Sequence, residues 1–277
     1  MPWIAVLVVL VSCGTDDIST DQAGSESPAD VLDAGVRAVL DAPTGRYTHE
    51  VVDHYFGSPV FTYSGTYDVS SESAEVFTDH YTELEREEPA EPAKTWHYKI
   101  ISRREYVRSS AWPDDMSLCW LVVDEQNADE FVAERVDAAG VPLAVSALEG
   151  VTGERFDPED HTAILGTIDL DTALHMMLAE TIAAELADQF DGGVPVRLEL
   201  ADGVVSAWQM NGLDVLEALL ELADPLVTRD AAIALKAFNL RVSYAELDSP
   251  VVIEEPDPQS HMSLSQMETG EGCSPME

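Results

Sequence analysis

Positive charge is what this sequence has least of. Its 277 residues include 14 Lys and Arg against 53 Asp and Glu, a formal charge of −39 at pH 7. There are only three lysines, Lys94, Lys99 and Lys236. So negative a surface repels phosphate backbones and anionic headgroups, which argues against nucleic-acid binding and against electrostatic docking on a membrane. The composition suits a salt-tolerant or exposed protein, and plain solvation of the surface accounts for it equally well.

Catalytic signatures are missing too. There is no Gly-x-Ser-x-Gly elbow, no phosphate-binding loop and no Gly-x-Gly-x-x-Gly following a strand. The run His49-Glu50-Val51-Val52-Asp53-His54 looks at first like a zinc-protease motif, but that motif needs histidines four apart on a helix. Here they are five apart in a strand-like run, where an odd separation points them to opposite faces. We expect no metal, no cofactor and no enzyme. Cysteine is scarce: Cys13, Cys119 and Cys273. With Cys13 set aside, the other two could form one disulfide in an oxidising compartment, or Cys119 could be a free buried thiol in its apolar strand.

What is present begins at the N-terminus. Residues 4–11, IAVLVVLV, are too few to cross a bilayer, which takes ~20 residues, but fit the apolar stretch of a signal peptide. They end in Leu10-Val11-Ser12-Cys13-Gly14, which resembles a bacterial lipobox. There the cysteine sulfur receives a diacylglycerol, and cleavage just before it requires small neighbours. The expectation is a lipoprotein signal peptide over 1–12, lipidation at Cys13, and a flexible acidic tether over 13–29, too polar to bury a core.

A single domain is expected over 30–256. Residues 29–40 have apolar positions at helical spacing. Residues 46–56, 60–69, 74–81, 95–102, 105–109 and 118–124 are rich in Val, Tyr, Phe and Thr between turn signals and read as antiparallel strands. Residues 83–92 read as an acidic loop, which Arg103, Arg104 and Arg108 are expected to answer. A helix is expected at 127–139, weaker strands at 141–147 and 162–165, and a long helix at 169–190 with a stripe of Leu170, Leu174, Met177, Leu178, Ile182, Leu186 and Phe190. Strands at 194–200 and 204–210 flank Asp202-Gly203, a hairpin signal. A helix at 213–223, strands at 238–247 and 251–253, and a disordered polar tail at 257–277 complete the reading. Strands without βαβ alternation predict an α+β protein, a large antiparallel sheet with helices on one face.

The order of features resembles actinobacterial lipoproteins of the LppX/LprG type, related in fold to the LolA/LolB carriers. It is carried by the lipobox and tether, the helix reaching Leu40-Asp41-Ala42-Pro43, Tyr47-Thr48 opening a strand, and the strand pair with Gly65. Glu105-Tyr106-Val107-Arg108 before Cys119-Trp120, the run from Val194 to Val205, and the ending Val251 to Pro256 extend the likeness. It implies a strongly curved antiparallel half-barrel with helices packed on its concave face around an apolar cavity. It also implies a non-enzymatic role, binding or carrying an acylated lipid or glycolipid at the extracytoplasmic face of the cell membrane. In such a cavity the stripe residues Leu174, Met177, Leu178 and Ile182, with Trp120 from the sheet, are the expected ligand contacts. The same fold with a filled core would instead serve as a sensor or protein-interaction module.

Overall fold

The first helix shows how local chemistry sets the fold. In the computed structural model, which describes residues 27–55, 57–81, 94–123, 141–178, 192–221 and 229–273, α1 spans Pro28–Leu40. The Ser27 side chain caps it by accepting the N–H of Asp30. Pro28 opens the first turn, where no backbone donor is needed. Leu32, Val36 and Val39 form its buried face.

The described strands build one open, curved sheet of twelve, β1 Thr44–Asp53, β2 Pro59–Asp68, β3 Ser73–His80, β4 Lys94–Ile101, β5 Arg104–Ser109, β6 Trp120–Val123, β7 Thr152–Phe156, β8 Ala163–Asp169, β9 Gly193–Ala201, β10 Val204–Asn211, β11 Phe238–Ala245 and β12 His261–Met262. Their spatial order is β12-β6-β5-β4-β3-β2-β1-β11-β10-β9-β8-β7. All neighbours are antiparallel except β12, which lies parallel to β6. The expected α+β architecture is therefore the observed one. The hairpin between β9 and β10 turns at Asp202 and Gly203, both at positive φ (53° and 79°), the two-residue geometry suited to strand twist.

The remaining helices are α2 Leu143–Ser146, α3 Leu170–Met177, α4 Gly212–Glu221, α5 Arg229–Ala237 and α6 Leu264–Thr269. Residues of α1 to α5 share one apolar cluster with the inward-facing side chains of the sheet. Alternate strand residues such as Tyr47, Val51, Val76, Tyr98, Val107, Leu121, Trp208 and Val242 supply the sheet's part. None of the helices is long and apolar enough to cross a membrane, among the described residues.

Several elements differ from expectation. Residues 141–147 are not a strand. Pro142 stands at the N-cap of α2, which runs into a 3-10 turn at Ala147–Gly150 and buries Ala144, Val145, Ala147 and Leu148. A short apolar run reads alike in either state, and contact with the core decides it. The stripe at 169–190 is interrupted. Asp169 caps α3 by accepting the Thr172 N–H, and Leu178 leaves the helix with φ −107° and ψ 160°. Residues 179–191 lie outside the described residues, as do the expected helix at 127–139 and the acidic loop at 83–92. Residues 251–253 form no strand, and β7 and α5 were not foreseen.

The larger correction is the tail. Residues 257–273 are built, not disordered. Met262 is wholly buried. Ser263 and Gln266 close a reciprocal cap on α6. Cys273 is joined to Cys119 by a disulfide, with Cα atoms 5.4 Å apart. Only residues 274–277 of this segment lie outside the described residues.

Candidate functional site

Two rows of side chains cross the concave face. One runs Tyr244, Tyr47, Gly65, Val76, Tyr98, Val107, Leu121, and the next His49, Tyr63, Thr78, Trp96, Ser109. Tyr47 and Tyr67 are laid across each other's strand. A Cβ on Gly65 would come within 3.1 Å of the Tyr47 ring, and a Cβ on Gly45 within 2.8 Å of the Tyr67 hydroxyl. Only glycine lets both rings lie so close to the backbone. Aromatic packing continues across β4, where Trp96 stacks on Tyr98 at 6.3 Å and meets Trp112 edge-on at 6.1 Å.

The polar atoms on this face are unequally served. The Trp208 indole N–H donates to the Tyr244 hydroxyl at 2.9 Å, and that hydroxyl in turn donates to the Ala144 carbonyl. The hydroxyls of Tyr47, Tyr67 and Thr78 are buried with no hydrogen-bond partner among the described residues. Burial pushes the Tyr67 phenol up to about 12, with the charge of Asp248 adding to it. It also raises Tyr47, where neighbouring Tyr63 adds to the effect. These phenols stay protonated and remain donors at any physiological pH.

The helix residues expected at the ligand are placed in this core. Leu174 and Leu178 are buried and Met177 nearly so. Ile182 lies outside the described residues. Trp120 does not join them. It belongs to the opposite set of side chains from Leu121 and Val107, and so to the outer face of the sheet. There its ring meets His97 at 4.6 Å, with Arg108 4.7 Å and Lys99 5.6 Å from its centroid. The sequence SLCWLVV is apolar on both alternations, so nothing in it selects the face.

The outer face carries the polar chemistry. Glu75 receives the His97 Nε2 at 2.8 Å and Lys99 Nζ at 3.2 Å. The His97 bond, opposed by burial and helped by Lys99, holds the Glu75 carboxyl below its ordinary range. Burial lowers His97, against the pull of Glu75. A cleft of about 540 Å³ runs over β7 to β11. Arg241, Gln209, Arg197, Leu165 and Arg155 face it in one cross-strand row. Arg197 is clasped by Asp157, Asp160 and Glu199, which offset the charge of the row. A second cleft, about 350 Å³, lies beside Phe77, His97 and Arg108.

His49 is buried on the concave side with its ring 5.0 Å from Tyr63, whereas His54 is exposed and contacts Asn239 at 3.2 Å. Among the described residues no group of three or more His, Cys, Asp or Glu side chains is placed to hold a metal. Sequence reasoning missed the crossed tyrosines, although the paired glycines at 45 and 65 were a signal that rings would lie over them.

No family model and no curated protein matches this chain. Among solved structures, the crystal structure of LprF from Mycobacterium bovis is similar with a TM-score of 0.46 and 12% identity, covering 83% of this chain and 99% of that one.

Proposed function

We propose that this protein is an envelope lipoprotein, anchored through Cys13 at the extracytoplasmic face of the cell membrane, which holds an acylated lipid or glycolipid between the concave sheet face and the helices. It performs no chemistry on that ligand. The observation that carries the reading is the set of hydroxyls of Tyr47, Tyr67 and Thr78 on a largely apolar face, buried with no partner among the described residues. Each buried polar group left without a partner costs about 1–3 kcal/mol. Three of them are a large charge against a net stability of roughly 5–15 kcal/mol. A ligand with acyl chains and a polar linkage removes that cost, and burying its chains contributes about 0.8 kcal/mol per CH₂. The lipobox and the sequence resemblance point the same way, and Leu174, Met177, Leu178 and Ile182 are the proposed acyl contacts.

The test is native mass spectrometry after gentle extraction, with the double variant Tyr47→Phe, Tyr67→Phe beside wild type. The reading expects a co-purifying lipid whose retention falls in the variant while the fold stays intact. Wild type free of lipid, together with a stabilised variant, would overturn it. A second reading has its own support: Ala173, Leu174 and Met176 are wholly buried, as in a filled core presenting its surface to a protein partner. Ala173→Trp separates the two. In a filled core it costs about 1–3 kcal/mol through overpacking, whereas beside a ligand space it lowers lipid retention and spares the melting temperature.

A further inference from the structure

Four of the described arginines are claimed by acid. Arg46 pairs with Glu246, Arg103 with Glu72, Arg104 with Glu255, and Arg197 with three carboxylates. Arg103 and Arg104 thus find carboxylates at 72 and 255, and the acidic loop at 83–92 expected to answer them lies outside the described residues. Arg108 has no carboxylate and no hydrogen-bond acceptor among the described residues, in a chain with 53 acidic side chains. It is half-buried, so its five N–H donors are only partly hydrated. What holds it is the face of Trp120, 4.7 Å from the guanidinium carbon. Trp120 is itself fixed, nearly buried and packed edge-on against His97.

Arg108 lines the cleft of about 350 Å³ on the outer face, a volume at the lower end of small-molecule sites. One wall is the stacked pair Phe77 and His97, ring centroids 3.9 Å apart. At the mouth stand two large apolar side chains left in water, Leu118 at 73% exposure and Phe77 at 38%. The hydroxyls beside them are engaged. Ser110 Oγ accepts the Thr95 N–H, Thr95 Oγ1 donates to Asp79, and Ser117 Oγ donates to the Asp114 carbonyl. One carboxylate, Asp114, lines the cleft as well. The cleft therefore offers a guanidinium with no carboxylate partner among the described residues, beside an apolar, partly aromatic wall.

We propose that this cleft binds an oxyanion joined to a short apolar group, such as a medium-chain carboxylate or the phosphate end of a lipid. Arg108 takes the oxyanion through its planar donor fork, and Phe77 and Leu118 cover the apolar part. Trp120 and His97 position the guanidinium. The site lies on the opposite side of the sheet from the proposed lipid-holding face and does not depend on it.

The probes are monomeric decanoate, followed by titration calorimetry, and vesicles of phosphatidylcholine with and without phosphatidylglycerol, followed by sedimentation. The chain used carries Cys13→Ser, so that no lipid anchor contributes. Wild type is expected to bind one of the two, decanoate if the source is a free carboxylate, phosphatidylglycerol vesicles if it is a headgroup. Arg108→Gln should weaken that binding by roughly tenfold or more, the loss expected when a charged hydrogen-bond pair is removed. Leu118→Glu, at an exposed position where folding tolerates change, should weaken it likewise by repelling the anion. Tyr47→Phe with Tyr67→Phe should leave it intact. Failure of wild type to bind either probe, or equal binding by Arg108→Gln and Leu118→Glu, overturns the assignment and leaves the concave-face reading untouched.

Discussion

The disulfide between Cys119 and Cys273 closes a loop across a sequence separation of 154 residues. Chain-entropy reasoning gives such a cross-link about 5 kcal/mol of stabilisation, exerted on the unfolded chain. That is comparable to a typical domain's whole net stability. What the bond holds in the folded state is a strap. Residues 254–262 cross the outer face, with the Glu254 carbonyl taking Lys99 Nζ at 2.9 Å and the Glu255 carboxylate taking the Tyr106 hydroxyl. The strap then adds a two-residue strand to the edge of β6 and buries Met262. So short a ladder gives little by itself, so the cross-link should matter locally as well as globally. Take Cys119→Ser with Cys273→Ser in a Cys13→Ser background. We expect the melting temperature to fall by up to about 10–20 °C, at ~2–4 °C per kcal/mol for a chain of this size. Hydrogen exchange at residues 257–273 and along β6 should rise well before global unfolding. An unchanged denaturation midpoint together with unchanged protection of 257–273 would show that the strap docks through its own contacts, and the loop-entropy reasoning would fail.

Three further outcomes are expected. Cys13→Ser should release the protein from the membrane fraction and abolish incorporation of labelled fatty acid, because one residue carries the whole attachment; a variant that still sediments with membranes, beside a wild type that takes up no label, would refute the lipobox reading. Leu178→Asp places a charge at a buried position in the apolar cluster and should unfold the domain or cost several kcal/mol; an unaltered melting curve would show that the residue is not buried. Stability should fall on acidification in two stages. His97 is depressed in the folded state, so the unfolded chain binds more protons below its ordinary value of 6.5, and stability is lost from there down to the folded value. Glu75 is also depressed, so its contribution is present above 4.5 and is lost as pH falls through its folded value. Glu75→Gln with His97→Asn should flatten the melting temperature between pH 7 and 4, and a profile as steep as wild type would remove the pair as the cause.

The two faces of the sheet divide the protein's chemistry. The concave face gathers aromatic and aliphatic side chains and leaves three hydroxyls without partners among the described residues. The outer face gathers most of the strand cations and most of the ion pairs among the described residues. This division explains how a chain of charge −39 can present a local cationic feature at all. Cross-strand pairing sets Arg108 beside His97, and its guanidinium lies 4.7 Å from the centre of the Trp120 ring.

The sequence by itself determined what depends on neighbours along the chain. The turn at Asp202-Gly203, the apolar face of the first helix, and the Val, Tyr, Phe and Thr content and turn signals that mark β1 to β5 are all local, and they were legible in residue order. They were enough for the α+β class and for most strand positions. Tertiary structure decided the rest, because those choices compare energies between distant segments. Whether 143–146 became strand or helix depended on the core it packs beneath, including the Tyr244 hydroxyl that donates to its Ala144 carbonyl. Helical periodicity ran unbroken through Leu178, so the departure of the chain there left no mark in the pattern. The segment 257–273 is polar enough to read as disordered, and it is ordered by one buried methionine, a reciprocal cap and a disulfide partner far away in sequence. Trp120 shows the limit most clearly. Leu118, Trp120 and Val122 alternate with Cys119, Leu121 and Val123, and both sets are apolar. Alternation states that two faces exist, and only packing against the rest of the molecule states which of them is the inside.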